Sequence, residues 1–190
     1  MNFIKLKNQF IFDPLDVVEK QEIVNIGDGA LRNYTIDIDN PNIHKIYQVI
    51  PKPARQLFSI SAVKISQLLA PHVDDVNTSI LFYVRAGNFR TQFYKVIAED
   101  PVINYSDTKV NTRKISDSNA YRPETYRLAD LVEQDSYVAS DFDAWCINGN
   151  APHAIISCDQ NTNLDRIFIL YKTKLPFQIV TELLKQTDSI

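Results

Sequence analysis

Two runs, SILFYVR (Ser79 to Arg85) and RTQFYKV (Arg90 to Val96), flank the turn Ala86-Gly87-Asn88-Phe89 and decide how this chain is read. Both are rich in aromatic and β-branched residues, which suit a pleated, half-buried surface. The Gly-Asn between them favours a sharp reversal, so residues 79 to 96 read as an antiparallel hairpin. Working outward, further short apolar runs with strand character are Asn33 to Ile38, Leu57 to Ile65, Asp143 to Ile147, His153 to Ser157 and Arg166 to Tyr171. Seven or more such strands predict a mainly β domain, a sandwich or a barrel. Helical signals are fewer. One is Pro14 to Glu22, with Asp13 before a proline at the first helical position; the other is Pro176 to Gln186, where Phe177, Val180, Leu183 and Leu184 share a face. Both are expected outside the sheet core. From Ala98 to Asp130 the chain turns polar and irregular, and a stretch of that length reads as a mobile cover over a pocket.

The whole chain, 190 residues with 45 % apolar and 23 % charged positions, is sized for one domain. A β core over residues 57–172 is expected, with an N-terminal flank over 1–56 and a C-terminal helix over 176–186. Twenty basic against 23 acidic residues give a formal charge of -3, which lacks the basic excess that duplex nucleic acid demands. No apolar run approaches the roughly 20 residues that span a bilayer, and the N-terminus has no unbroken hydrophobic region, so neither a membrane nor a secretory signal is expected. Cys146 and Cys158 are too few for a disulfide framework and predict reduced thiols in a cytoplasmic protein. Monomer and dimer both remain open.

Three histidines are present, His44, His72 and His153. His44 has no partner at a useful spacing and is expected on the surface. His72 lies in Pro71-His72-Val73-Asp74; in an extended strand residues i and i+2 share a face, so His72 and Asp74 could chelate one metal ion. Taken alone these residues read more readily as an exposed turn with Asp74 bonding locally, and it is the ordered set of motifs that favours the metal. His153 opens a late strand behind Asn148-Gly149-Asn150-Ala151-Pro152, and Arg166 opens the next. Two histidines and one carboxylate on one face of a metal leave positions open for a co-substrate and O2. A buried arginine beyond them could hold the far carboxylate of a dicarboxylic acid.

In this order the residues resemble the Fe(II)- and 2-oxoglutarate-dependent oxygenases, in particular the prolyl-hydroxylase-like branch of bacteria and phages. His72-Val73-Asp74, the strand Ile80 to Val84, the segment Thr91-Gln92-Phe93-Tyr94, then His153 and Arg166 follow that family's succession over about residues 57 to 172. The resemblance implies a double-stranded β-helix, a cupin-like jelly roll with a few flanking helices. It implies His72, Asp74 and His153 as ligands of Fe(II), Arg166 as the 2-oxoglutarate anchor, and Tyr83 as a second contact to the same carboxylate. It also implies 2-oxoglutarate and O2 as co-substrates for hydroxylating an unidentified acceptor, a small molecule or a protein side chain. The chain departs from the pattern at Asn88-Phe89-Arg90, where the family commonly has a glycine pair, and at Gln92, where an acidic residue is usual. A cupin-type metal protein without oxoglutarate would not need Arg166. The alternative from another class is a non-catalytic β-helix module, for example one associated with a virion.

Overall fold

A computed structural model describes residues 1–7, 10, 24–26, 31–34, 39–65, 68–99, 103–105, 124–158 and 166–190. Its strands are β1 (Phe3–Lys5), β2 (Val24–Ile26), β3 (Leu31–Tyr34), β4 (Phe58–Ile65), β5 (Leu69–His72), β6 (Thr78–Arg85), β7 (Phe89–Val96), β8 (Ile103–Tyr105), β9 (Glu124–Tyr126), β10 (Leu131–Val138), β11 (Ala144–Asn148), β12 (His153–Ser157) and β13 (Arg166–Thr173). The helices are α1 (Pro41–Gln48) and α2 (Phe177–Gln186). No helix among the described residues is long and apolar enough to cross a membrane.

Two antiparallel sheets face each other, one ordered β1-β11-β6-β13-β4-β3-β2 and the other β10-β7-β12-β5-β9-β8. The pairings are nested: β7 with β10, β6 with β11, β5 with β12, and β4 with β13. A long hairpin rolled up on itself pairs its arms in this way, and the protein is therefore a mainly β double-stranded β-helix. Strand β6 shows why the sequence selects this form. Ile80, Phe82 and Val84 face a cluster completed by Ile43 and Ile46 of α1 and by Phe177, Val180 and Leu184 of α2. Leu81 and Tyr83 face the space between the sheets, beside Phe93, Tyr137 and Phe168. A strand covered on both faces is apolar throughout instead of alternating.

Several expectations change in detail. Residues 79 to 96 contain the two expected strands but form no hairpin, because β6 lies in one sheet between β11 and β13 while β7 lies in the other between β10 and β12. The turn crosses the gap as an arch: Gly87 adopts a φ of 63°, and the Asp141 carboxylate accepts the Ala86 N–H at 2.7 Å. The polar stretch 98–130 is partly regular, contributing β8 and β9 to a sheet edge, where His72 stands opposite Thr125. Residues 106–123, the centre of the expected cover, lie outside the described residues, as does the expected helix Pro14 to Glu22. The strand expected at Asn33 to Ile38 is described as Leu31–Tyr34, its remainder falling outside. Helix α2 begins at Phe177 with Pro176 as its cap and packs against the outer face of the seven-stranded sheet, as expected.

Candidate metal centre and buried arginine pocket

His72 is the last residue of β5 and His153 the first of β12, and the two are cross-strand partners. Their rings lie 4.6 Å apart, centroid to centroid. Asp74 is not on a strand, contrary to the i and i+2 geometry read from the sequence. It sits in the turn after β5, which folds back so that Oδ1 is 3.8 Å from His72 Nε2 and 3.7 Å from His153 Nε2. Those gaps exceed a hydrogen bond. They are shorter than twice the roughly 2.0–2.2 Å at which such donors bind a metal ion, so one ion fits between each pair. The three ligand atoms all lie within 4.8 Å of one another.

The protonation of the rings fits a cation. Nδ1 of His72 meets the Ala70 carbonyl at 2.7 Å, and Nδ1 of His153 meets the Ala151 carbonyl at 2.9 Å. A carbonyl can only accept, so each Nδ1 carries a proton, and Nε2 is the ring nitrogen turned to Asp74. Burial, followed by the neighbouring His153, pushes the His72 pKa down to about 4 against the opposing pull of Asp74. The imidazole is therefore neutral at pH 7 and free to coordinate. Both carbonyls lie two residues before their histidine, and the intervening residue is proline in each case, in Ala70-Pro71-His72 and Ala151-Pro152-His153. Proline holds the preceding residue extended and brings no N–H of its own to compete. This twin Ala-Pro-His triplet was visible in the sequence and went unread there.

Deeper between the sheets is a second polar group. His153 pairs with Phe93 on β7, whereas Ile155 pairs with Thr91, two residues further along. That step is about 7 Å along the strand. Thr91 accepts a hydrogen bond at 3.0 Å from the Arg166 guanidinium, which also donates to the Tyr83 hydroxyl. Tyr83 and Tyr137 share a hydroxyl hydrogen bond of 3.0 Å. The Arg166 carbon lies 4.6 Å from the Tyr83 ring centroid. Arg166 is 1 % exposed, and among the described residues its Nε and second terminal nitrogen have no hydrogen-bond partner. Burying an unpaired charge is expensive, so an enclosed guanidinium with donors unpartnered among the described residues suits an anionic partner.

The structure thus brings together His72, Asp74 and His153, and places Tyr83 and Arg166 side by side one layer below. Thr91 and Tyr137 belong to the same hydrogen-bonded group and were missed as site residues. Thr91 was quoted only as part of a segment, although its i, i+2 relation to Phe93 put it on the inner face. His44 is exposed on α1, as expected. Trp145 is half-buried and stacks on Tyr137, ring centroids 4.2 Å apart. Cys146 and Cys158 are both free thiols.

No family model matches the sequence, and no curated protein matches it. Solved structures do match. They include vicilin from hazelnut, Corylus avellana, at 13% identity and TM-score 0.40 over 82% of this chain and 32% of that one. A mutant of Bacillus subtilis oxalate decarboxylase aligns at 13% identity and TM-score 0.38 over 89% of this chain and 37% of that one. A cupin-like protein from Thermotoga maritima aligns at 10% identity and TM-score 0.36 over 83% of this chain and 82% of that one. The chain spans about a third of the length of the vicilin and the decarboxylase it matches. These neighbours include an enzyme and a vicilin, so what this chain does has to be argued from its own residues.

Proposed function

We propose that the protein is a non-haem Fe(II), 2-oxoglutarate-dependent dioxygenase of prolyl-hydroxylase-like type that hydroxylates an unidentified acceptor, in a cytoplasmic setting where its thiols stay reduced. The observation that carries the reading is Arg166, fully buried and bonded to Thr91, two residues along β7 from the partner of His153, with two nitrogens unpartnered among the described residues. A metal protein without a dicarboxylate co-substrate has no use for such a group.

When bound, Fe(II) supplies the activation of O2 coupled to oxidative decarboxylation of the 2-oxo acid, giving succinate and CO2. His72, Asp74 and His153 would hold the ion on one side only, leaving its other face to the co-substrates. Arg166, aligned by Tyr83 and Thr91, would take the far carboxylate of oxoglutarate through a charge-assisted pair, so that the keto acid end points back towards the histidines. Phe93, Tyr137 and Phe168, buried in one cluster, would exclude water from the reacting groups.

The test is calorimetry on anaerobic, metal-loaded protein, followed by mass-spectrometric detection of succinate with candidate acceptors. Arg166→Ala should weaken oxoglutarate binding by about 30-fold to several thousand-fold, the equivalent of roughly 2 to 5 kcal/mol for breaking a buried charge pair, and leave metal affinity nearly unchanged. Equal oxoglutarate affinity in variant and parent would overturn the assignment. Arg85, exposed, and Arg90, half-buried, would then be the remaining anchors on the neighbouring strands.

A further inference from the structure

The turn that carries Asp74 has little structure of its own, since it leaves β5 after His72 and rejoins a sheet only at Thr78. The Gly149 loop holds it on both sides. The Gly149 carbonyl accepts the Asp74 N–H at 2.9 Å, and the Gly149 N–H donates to the Asn77 carbonyl at 2.9 Å. A methyl group on Gly149 would overlap the Val76 carbonyl oxygen and stand 3.0 Å from Asp74 Cβ and 3.1 Å from Asp74 Oδ2. Glycine is needed here for close approach, because a side chain would run into the Val76 carbonyl and crowd the Asp74 side chain. Oδ2 lies on the Gly149 side of Asp74, 3.1 Å from where a methyl group would stand, and Oδ1 is 3.8 and 3.7 Å from Nε2 of the two histidines. The same loop ends in His153, four residues on, so one short segment sets two of the three donors.

We infer that Gly149 is the positioning residue for Asp74: its bare backbone fixes the turn and the carboxylate rotamer before any metal arrives. This rests on the metal-centre reading above. Replacing Gly149 by alanine forces a backbone carbonyl or the Asp74 side chain to move, because the contact on Val76 is to main chain and cannot be relieved by a flexible tip. Changes to groups that orient metal ligands typically weaken metal binding about 10- to 100-fold.

The experiment titrates Co(II) into the metal-free parent and into Gly149→Ala, following the cobalt absorption bands and the rise in melting temperature that metal produces. The parent should bind one equivalent. The variant should bind about 10- to 100-fold more weakly, with altered bands and a smaller metal-induced rise, whatever its own metal-free melting point. If the parent binds no cobalt, the metal reading fails and this inference falls with it. A parent that binds, beside a variant with the same affinity and the same bands, overturns the role of Gly149 alone. A second measurement needs no variant: in the metal-free parent the Asp74 and Gly149 amides should already be protected from hydrogen exchange. An Asp74 amide that is free until metal is added would show that the ion, and not Gly149, orders the turn.

Discussion

The seven-stranded sheet has two faces that were built for different ends. Its outer face meets α1 and α2 in a cluster of apolar side chains, where Phe82 is fully buried and packs edge-on against Phe10 at 4.7 Å. Its inner face meets the other sheet across Tyr83 and Arg166, and there the fold encloses a guanidinium with donors unpartnered among the described residues. The outer layer is the kind of packing that stabilises a chain. Between the sheets the same strands carry polar groups that the described residues alone do not satisfy, which is where the proposed ligand would act.

The largest test of this contrast is His153→Ala, which should abolish stoichiometric metal binding in an anaerobic titration while the far-ultraviolet circular dichroism stays that of the parent. Retained stoichiometric binding would remove His153 from the donor set. Next, Phe82→Ala should destabilise the metal-free protein by about 3 to 5 kcal/mol in urea unfolding, as expected for emptying a packed aromatic site. Arg166→Leu in the same assay should be close to neutral or stabilising, because it removes a buried charge with no carboxylate partner among the described residues. If the two variants lose comparable stability, the inner face is ordinary core and the contrast fails.

A further test of the inner face concerns pH. His72 has a folded-state pKa of about 4 against an ordinary 6.5, so between those values the unfolded chain binds a proton that the folded protein refuses. Stability of the metal-free protein should therefore decline as pH falls from about 6.5 to 4, and this contribution should level off below. His72→Asn should flatten that slope in urea midpoints measured across the range; an unchanged slope would assign it to other groups.

How much of this was legible in the sequence depended on whether a local signal or a distant partner decided the matter. Strands such as His153–Ser157 and Arg166–Thr173 announced themselves, since buried β-branched and aromatic runs have few other uses. The pairing of β6 with β11 and β13 instead of β7 did not, because which edge a strand offers is settled by segments far along the chain. Strand β10 was missed for a different reason: as an edge strand it buries only Leu131 and Tyr137 and carries the polar run Glu133 to Ser136 across a bulge. In the candidate site, the identities of His72, Asp74, His153, Tyr83 and Arg166 were readable from order and residue type. The turn that brings Asp74 back, and the carbonyls that fix the ring protons, required the backbone path.

The nested strand pairing also bears on how the chain acquires its shape. Each rung joins segments further apart than the one inside it: β7 and β10 are separated only by residues 97–130, whereas β4 and β13 span nearly the whole barrel. Closing the innermost rung first shortens the loop left for the next, so zipping outward costs the least chain entropy, and a longer insertion at 97–130 adds only a logarithmic penalty. A topology so dominated by distant contacts folds slowly, on the scale of milliseconds to seconds. The histidines lie on the third rung, β5 with β12, so they meet only after two inner rungs have formed. Cobalt binding followed during refolding should accordingly lag behind the formation of strand signal, which makes the histidine pair a reporter of assembly and not its nucleus.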